Sequence, residues 1–398
     1  MKPLIYLALF LLLAGDEPHI PSTFVFPSYL HTYGIRKAGA TELFLFMGFR
    51  VKFSNPQGIA CVRLDAWEDP EDPHDDDELT VYGVNSGQNN IIFNKSMWAI
   101  GVYGLDEDDT QLLDRPRGIC ANNAGDVYVA DTGHNRVARL FNPGHELVFV
   151  SAIGEYGSEN GQFISPQQVA IDNSGTLFVS DSGNHRIQVF DSTGNYQFAF
   201  SGEGFLIGPT GLAVTDEKEK HAQVREDFII VIDSLRSRIS KFAANGQRLQ
   251  SISAAQQLGL DSLRLEYVCI DYHNHILITD SKNHCIHKFN SRLEPIISFG
   301  EKGDDDYQFL YPRGITIYRR LGQLFVAEEN GAQYYWVGTD IFDLKAIPDG
   351  ETTRFSFRVT EPSYITAEIL DDQDRFVADL IHRRYLGNAG NHVLQWRR

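Results

Sequence analysis

One stretch of this chain recurs along its length. The segment Pro166-Gln-Gln-Val-Ala-Ile-Asp-Asn-Ser-Gly175-Thr-Leu-Phe-Val-Ser-Asp181-Ser-Gly-Asn-His185-Arg186-Ile-Gln-Val-Phe190 has a close counterpart. That counterpart opens Pro116-Arg-Gly-Ile-Cys120 and runs through Asp131-Thr-Gly-His-Asn-Arg136-Val to Phe141. Further copies open at Pro56, Pro209, Leu265 and Pro312, which makes six, spaced 60, 50, 43, 56 and 47 residues apart. The acidic position follows the opening by 15 residues in the copies at Pro116, Pro166 and Leu265, and by 16 in the last. It follows by 29 residues at Asn85 and 24 at Asp233, so the first and fourth copies carry insertions of 14 and 9 residues. Without those insertions the period is near 47 residues, the length of a propeller blade. A unit of that size cannot bury both faces of its own sheet and must stack on its neighbours.

Within each unit, short apolar or alternating runs lie between Gly, Asn, Asp and Ser, a pattern of four strands. For the third copy these are Val169 to Ile171, Leu177 to Ser180, Arg186 to Phe190 and Tyr196 to Phe200. The last copy lacks a fourth strand after Tyr335-Trp336-Val337, while Leu43-Phe-Leu-Phe-Met-Gly48 stands ahead of the first copy. Glu42 to Met47 is therefore expected to pair beside Tyr334 to Val337 and so hide two sheet edges. The expected fold is all-β: a six-bladed β-propeller over residues 41–338, closed by an N-terminal strand. A lead-in over 16–40 precedes it and a small, partial Ig-like β-sandwich over 339–398 follows. The tail strands are expected at Arg354 to Val359, Ile365 to Leu370, Arg375 to Ile381 and His392 to Trp396.

Asp131 to Val137 and Asp181 to Ile187 resemble the NHL-repeat family; Asn85, Glu328 and Leu265 depart from its pattern. The resemblance implies a propeller whose innermost strand begins at each opening residue, at the mouth of a central channel. Relatives on this architecture include binding proteins, some of which bind RNA through a basic face. They also include a zinc amidating lyase and calcium-dependent lactonases, which set His, or Glu, Asn and Asp, on the inner strands. Separately, Ala389-Gly-Asn-His-Val-Leu-Gln-Trp396 resembles the Ala-Gly-x-His-x-x-x-Trp region of Ig-like domains of the flagellar hook-capping type and of related bacterial secretion tails. Those domains continue with a further strand, and this chain stops at Arg398, so an incomplete or truncated sandwich is expected.

By the same resemblance, the residues at the mouth are Gln57, Arg117, Gln167, Thr210, Glu266 and Arg313. Blades six, one and two are neighbours, which sets Arg313, Gln57 and Arg117 on one arc, with Glu266 beside Arg313 and opposite Arg117. The planar guanidinium fork suits a carboxylate or phosphate, so these positions are the expected ligand-binding set. No histidine follows any opening residue, so neither metal-enzyme pattern transfers. No catalytic residue, metal ligand or cofactor is expected, and the reading leans away from an enzyme. A lactonase-like or amidating-lyase-like propeller with a metal in its channel is the alternative.

Other candidates read as architecture. Asp131, Asp181, Asp233 and Asp280 are expected to accept backbone N–H bonds in the turn after their strand, with Arg136, Arg186 and Arg238 pairing to them between blades. His273, His275, His284 and His287 lie near Cys285, but Ile276 to Thr279 separates their turns by about 13 Å. That is too far for one zinc ion, and His284 should instead repeat the role of His185. Cys120 and Cys269 fall on opposite blades and should be free thiols. The nine carboxylates between Asp65 and Glu78 are expected in a solvated loop, with weak calcium or a basic partner as the other reading.

The formal net charge of −18 opposes binding to nucleic-acid phosphates. Met1-Lys-Pro followed by the apolar run Leu4 to Leu13 has the layout of a secretory signal peptide over 1–15, too short to span a bilayer. Asp16 stands where a lipidated cysteine would be, so no stable membrane insertion is expected. The sequence therefore predicts an exported monomer, periplasmic or extracellular in a bacterium. It would bind a protein, a glycan or a small anionic ligand.

Overall fold

The computed structural model describes residues 21–26, 36–67, 79–96, 99–105, 111–370, 373 and 375–397. The expected signal peptide over 1–15 and all but Asp65 of the nine-carboxylate run lie outside the described residues.

Each repeat forms one antiparallel meander. The third copy gives Pro166–Ile171, Leu177–Asp181, Arg186–Phe190 and Tyr196–Phe200, in that spatial order. Four-stranded sheets likewise begin at Pro56–Val62, Ile119–Ala121, Pro209–Thr215 and Leu265–Ile270. The last copy supplies three strands, Ile315–Tyr318, Gln323–Glu328 and Gly331–Val337. We number these sheets one to six in chain order. Their first strands touch in cyclic sequence, that of sheet six against that of sheet one. Backbone bonds join them where they meet, Gly58 N–H to Arg117 O at 2.9 Å and Gly314 N–H to Gln57 O at 3.0 Å. Glycine is required at these two positions because a Cβ would lie 2.6 Å from Arg117 O and 2.3 Å from Gln57 O.

Burial follows from this stacking. Second strands such as Leu177–Asp181 and Phe228–Asp233 are covered on both faces and are buried throughout. The fourth strand Val148–Ile153 alternates between exposed and partly covered residues. The apolar clusters lie between adjacent sheets. One joins Tyr82 and Val84 of sheet one to Val127 and Val129 of sheet two. Another joins Leu277 and Phe299 of sheet five to Val326 and Tyr335 of sheet six.

The missing strand of sheet six comes from the N-terminal part of the chain, but not from Glu42 to Met47. Phe24–Val25 pairs with Trp336 and Val337, and Lys37–Ala38 pairs with Ala332 and Gln333. Ala40–Met47 is instead an α-helix, α1. Glu42 accepts the Gly39 N–H at 2.9 Å, a reach-back that caps the first turn, and Gly48 at φ 63° ends it. The run Leu43 to Met47 has no polar alternation to impose a strand period.

The repeated acidic position makes the expected bonds to the following turn at Asp233 and Asp280, but the contact common to its copies is a different one. Asp131, Asp181 and Asp233 accept the N–H of Asp114, Ile164 and Ile207, in the segment that leads into their own sheet. Asn85 and Glu328 make the same bond to Ser54 and Leu310, so the departures in sequence preserve the contact. Asp280 accepts from Arg264 and also from Lys282 and Asn283 in the following turn. Arg136 and Arg186 pair with Asp131 and Asp181 at 2.7 and 2.8 Å, across one hairpin rather than between sheets. Arg238 bonds Ser251 instead, and in sheet six Lys37 supplies the cation to Glu328 at 3.2 Å.

In four of the six copies, the residue four places after the acidic position joins its sheet to the next. Asn89, Asn135, His185 and His284 adopt left-handed φ of 54–58°. Their side chains accept the N–H of Arg115, Ser165, Gly208 and Tyr311 in the lead-in of the next sheet, at 2.8–3.1 Å. His284 thus repeats the role of His185, and both accept through Nδ1, which places the proton on Nε2. His185→Ala is expected to lower unfolding free energy by about 1 kcal/mol in urea titration. Its effect should add to that of His284→Ala, since the two bonds share no partner.

The tail forms a three-stranded sheet of Ile341–Asp349, Thr352–Val359 and Gly390–Arg397, and a pair of Ser363–Leu370 and Phe376–Leu386. It rests on the outer edge of sheet five, where Ile296 and Ile297 pack with Phe342 and Ala389.

Candidate functional site at the axial mouth

The opening residues lie at one end of the first strands, and the structure draws three of the six predicted positions together. Arg117 donates through Nη2 to Gln57 Oε1 at 3.1 Å. Gln57, 2% exposed, donates in turn to Asn55 Oδ1 at 3.0 Å. Arg313 donates through Nη1 to the same Asn55 oxygen and to Pro56 O at 3.4 Å. Two guanidiniums from sheets two and six are thus linked through two amides, the buried Gln57 and the exposed Asn55. Neither has a carboxylate partner among the described residues, and the buried Nε of Arg313 has no hydrogen-bond partner.

The other three positions are bound within their own sheets. Gln167 donates to Ser165 O, and Thr210 bonds Ser234 Oγ at 2.6 Å. Glu266 is held by Ser281 at 2.8 Å and Arg264 at 2.9 Å, so its charge is matched locally and not by Arg313.

Sequence reasoning missed Tyr267. Its hydroxyl reaches Gln57 Oε1 at 3.1 Å from sheet five, and burial pushes its pKa up to about 12, so it stays a donor. The signal was present. Four copies read Gly in the third position, as at Gly58, Gly118, Gly211 and Gly314, and the fifth has Tyr267.

The far end of the first strands is closed by Arg319. It bonds Ile270 O, Thr215 Oγ1 and Glu219 Oε2 at 2.9–3.2 Å, tying sheet six to sheets five and four. A cavity of about 280 Å³ lined by Asp172, Thr215, Lys218 and Phe228 lies at that end, away from Arg117 and Arg313.

A second polar cluster lies between sheet five, the N-terminal strand and the tail. Lys288, fully buried, bonds Glu361 and Thr23 and lies 3.6 Å from Asp271 Oδ2. Burial pulls its pKa down to about 8 and pulls that of His275 down as well. Burial works against the Asp271 carboxylate, but His275 and Lys288 overcome it and hold its pKa below the usual range. His275 lies at one end of Ile276–Asp280 in this group, and His287 at the other with Asp280 and Cys285. All four cysteines are free, and burial pushes the Cys61 thiol up to about 12.

Residues 113–140 and 163–190, in sheets two and three, match the NHL repeat model. No curated protein matches the chain. Among solved structures, virginiamycin B lyase from Staphylococcus aureus is similar at 16% identity and a TM-score of 0.45, over 64% of this chain and 76% of that one. A streptogramin B lyase is similar at 12% identity and a TM-score of 0.49, over 72% and 95%. A chain of a nidogen/laminin complex is similar at 15% identity and a TM-score of 0.43, over 62% and 80%. Two of the meanders thus carry the NHL repeat, and the described residues form a nearly all-β, propeller-like arrangement of meanders whose first strands meet in cyclic order. No helix among the described residues is long and apolar enough to cross a membrane.

Proposed function

We propose that this chain is an exported, non-catalytic binding protein: six blades closed by Phe24–Val25 and Lys37–Ala38, a ligand site at the axial mouth, and an Ig-like tail that serves as an attachment module. The ligand is a small carboxylate-bearing anion, free or displayed on a protein or glycan. One observation carries the reading. Arg117 and Arg313 each donate to one of two hydrogen-bonded amides, Gln57 and Asn55, with no carboxylate partner among the described residues, on a chain of net charge −18. Their convergence concentrates positive charge where the rest of the surface repels anions. Gln57 and Asn55 fix the orientation of both forks, so little side-chain freedom is lost on binding.

Isothermal titration with tricarballylate tests the proposal, with its trimethyl ester as the uncharged control. Binding is expected for the acid alone. Arg117→Gln and Arg313→Gln should each weaken it roughly tenfold or more, since a charge-assisted hydrogen bond contributes about 1.5–3 kcal/mol. Unchanged affinity in the double variant would remove the mouth as the binding site.

A further inference from the structure

From the geometry of the junction between sheet five and the tail, we propose a buried divalent transition-metal site, of the zinc class, formed by Asp271 Oδ2, His275 Nδ1 and Glu361 Oε2. These three atoms lie within 4.8 Å of one another. His275 Nδ1 is 3.0 Å from the Asp271 oxygen and 3.3 Å from the Glu361 oxygen. Tetrahedral ligands at about 2.0 Å from zinc have edges of about 3.3 Å, so both edges to the imidazole nitrogen are already close to that spacing.

The remaining atoms are arranged as an outer shell. Asp271 Oδ1 accepts the N–H groups of His273 and His275, each at 2.8 Å. Glu361 Oε1 is held by Lys288 and by Thr23 at 3.3 Å. Each carboxylate therefore has one oxygen anchored and the other turned toward the same imidazole nitrogen, the disposition of ligands oriented by second partners.

Two observations show that the group is incomplete as a hydrogen-bonded cluster. A single Nδ1 proton serves one carboxylate, and Glu361 Oε2 is buried without a hydrogen-bond partner. Two carboxylates against one ammonium also leave a net negative charge in a site where Asp271 is 0% and Glu361 3% exposed, a costly arrangement without a further cation. A metal ion satisfies both. It would tie the turn at 271–275 to the tail, a link distinct from the anion site at the mouth.

The test uses the full chain equilibrated with Zn²⁺ or Co²⁺, freed of weakly held ions and assayed by elemental analysis. One equivalent is expected, with Co²⁺ giving visible d–d bands and no thiolate-to-metal charge-transfer band. Glu361→Gln should lower affinity at least tenfold, and Cys285→Ser should leave it unchanged. The spectrum of the unaltered protein decides the matter if Glu361→Gln folds poorly. A thiolate band would assign the ion to Asp280, Cys285 and His287 instead. That band, no uptake, or full retention in a folded Glu361→Gln variant would overturn the proposal.

Discussion

Phe24→Ala should lower the unfolding free energy by about 3–5 kcal/mol, an effect expected of a core residue rather than of a two-residue strand near a chain end. Phe24 is 0% exposed. Its ring meets Phe299 edge-on at 4.9 Å and Tyr335 at 5.7 Å, and so joins sheet five to sheet six. Truncation forfeits transfer energy and leaves a void lined by rings that cannot collapse into it. It also loosens the strand that covers the edge of Gly331–Val337. Amide exchange should then rise first along Trp336 and Val337, the partners of Phe24 and Val25. Denaturant titration and exchange mass spectrometry check both outcomes. A loss below about 1 kcal/mol with unchanged exchange would show that this strand does not hold the sheet.

Glu361→Ala should be comparably severe in protein stripped of metal. The substitution leaves the Lys288 ammonium buried with Thr23 and, at 3.6 Å, Asp271. Removing one member of a buried ion pair costs about 3–5 kcal/mol because the survivor stays desolvated. Replacing both, as Lys288→Met with Glu361→Leu, should recover part of that loss, because the ammonium is no longer stranded and the Asp271 carboxylate keeps His275 and two backbone N–H groups as partners. The tail is expected to separate from sheet five in the single variant, exposing Ile296 and Ile297, and to remain docked in the double. Limited proteolysis near residues 338–341 reports that separation.

These two sites mark what was legible in the sequence and what was not. The meanders were legible because a blade is built from neighbours in the chain, and each apolar run is bounded by its own turn residues. The predicted Tyr196 to Phe200 strand has the observed bounds for that reason. Closure depends instead on which distant segment reaches an open edge. There, the apolar run at Leu43 to Met47 outweighed the helix signal of Gly39 and Glu42, while Phe24-Val25 is too short to show a period. At the mouth, the arc of Arg313, Gln57 and Arg117 follows from the family resemblance, which puts the opening residues there, together with the order of the blades. Tyr267 was passed over because only the side chain, not the strand pattern, distinguishes it from glycine. The partnership of Lys288 with Glu361 arises wholly from how the tail packs, and no spacing rule spans 73 residues.

Anion binding at the mouth requires the two guanidiniums to act as one site. The most direct measurement is a nitrogen-15 spectrum of the arginine Nε–H groups, assigned with Arg117→Gln and Arg313→Gln, during titration with tricarballylate. Saturable shifts of Arg117 and Arg313 with one common dissociation constant, largest at the unpartnered Arg313 Nε, are predicted. Silence at both, or drift shared equally by Arg319 at the far end, would contradict it.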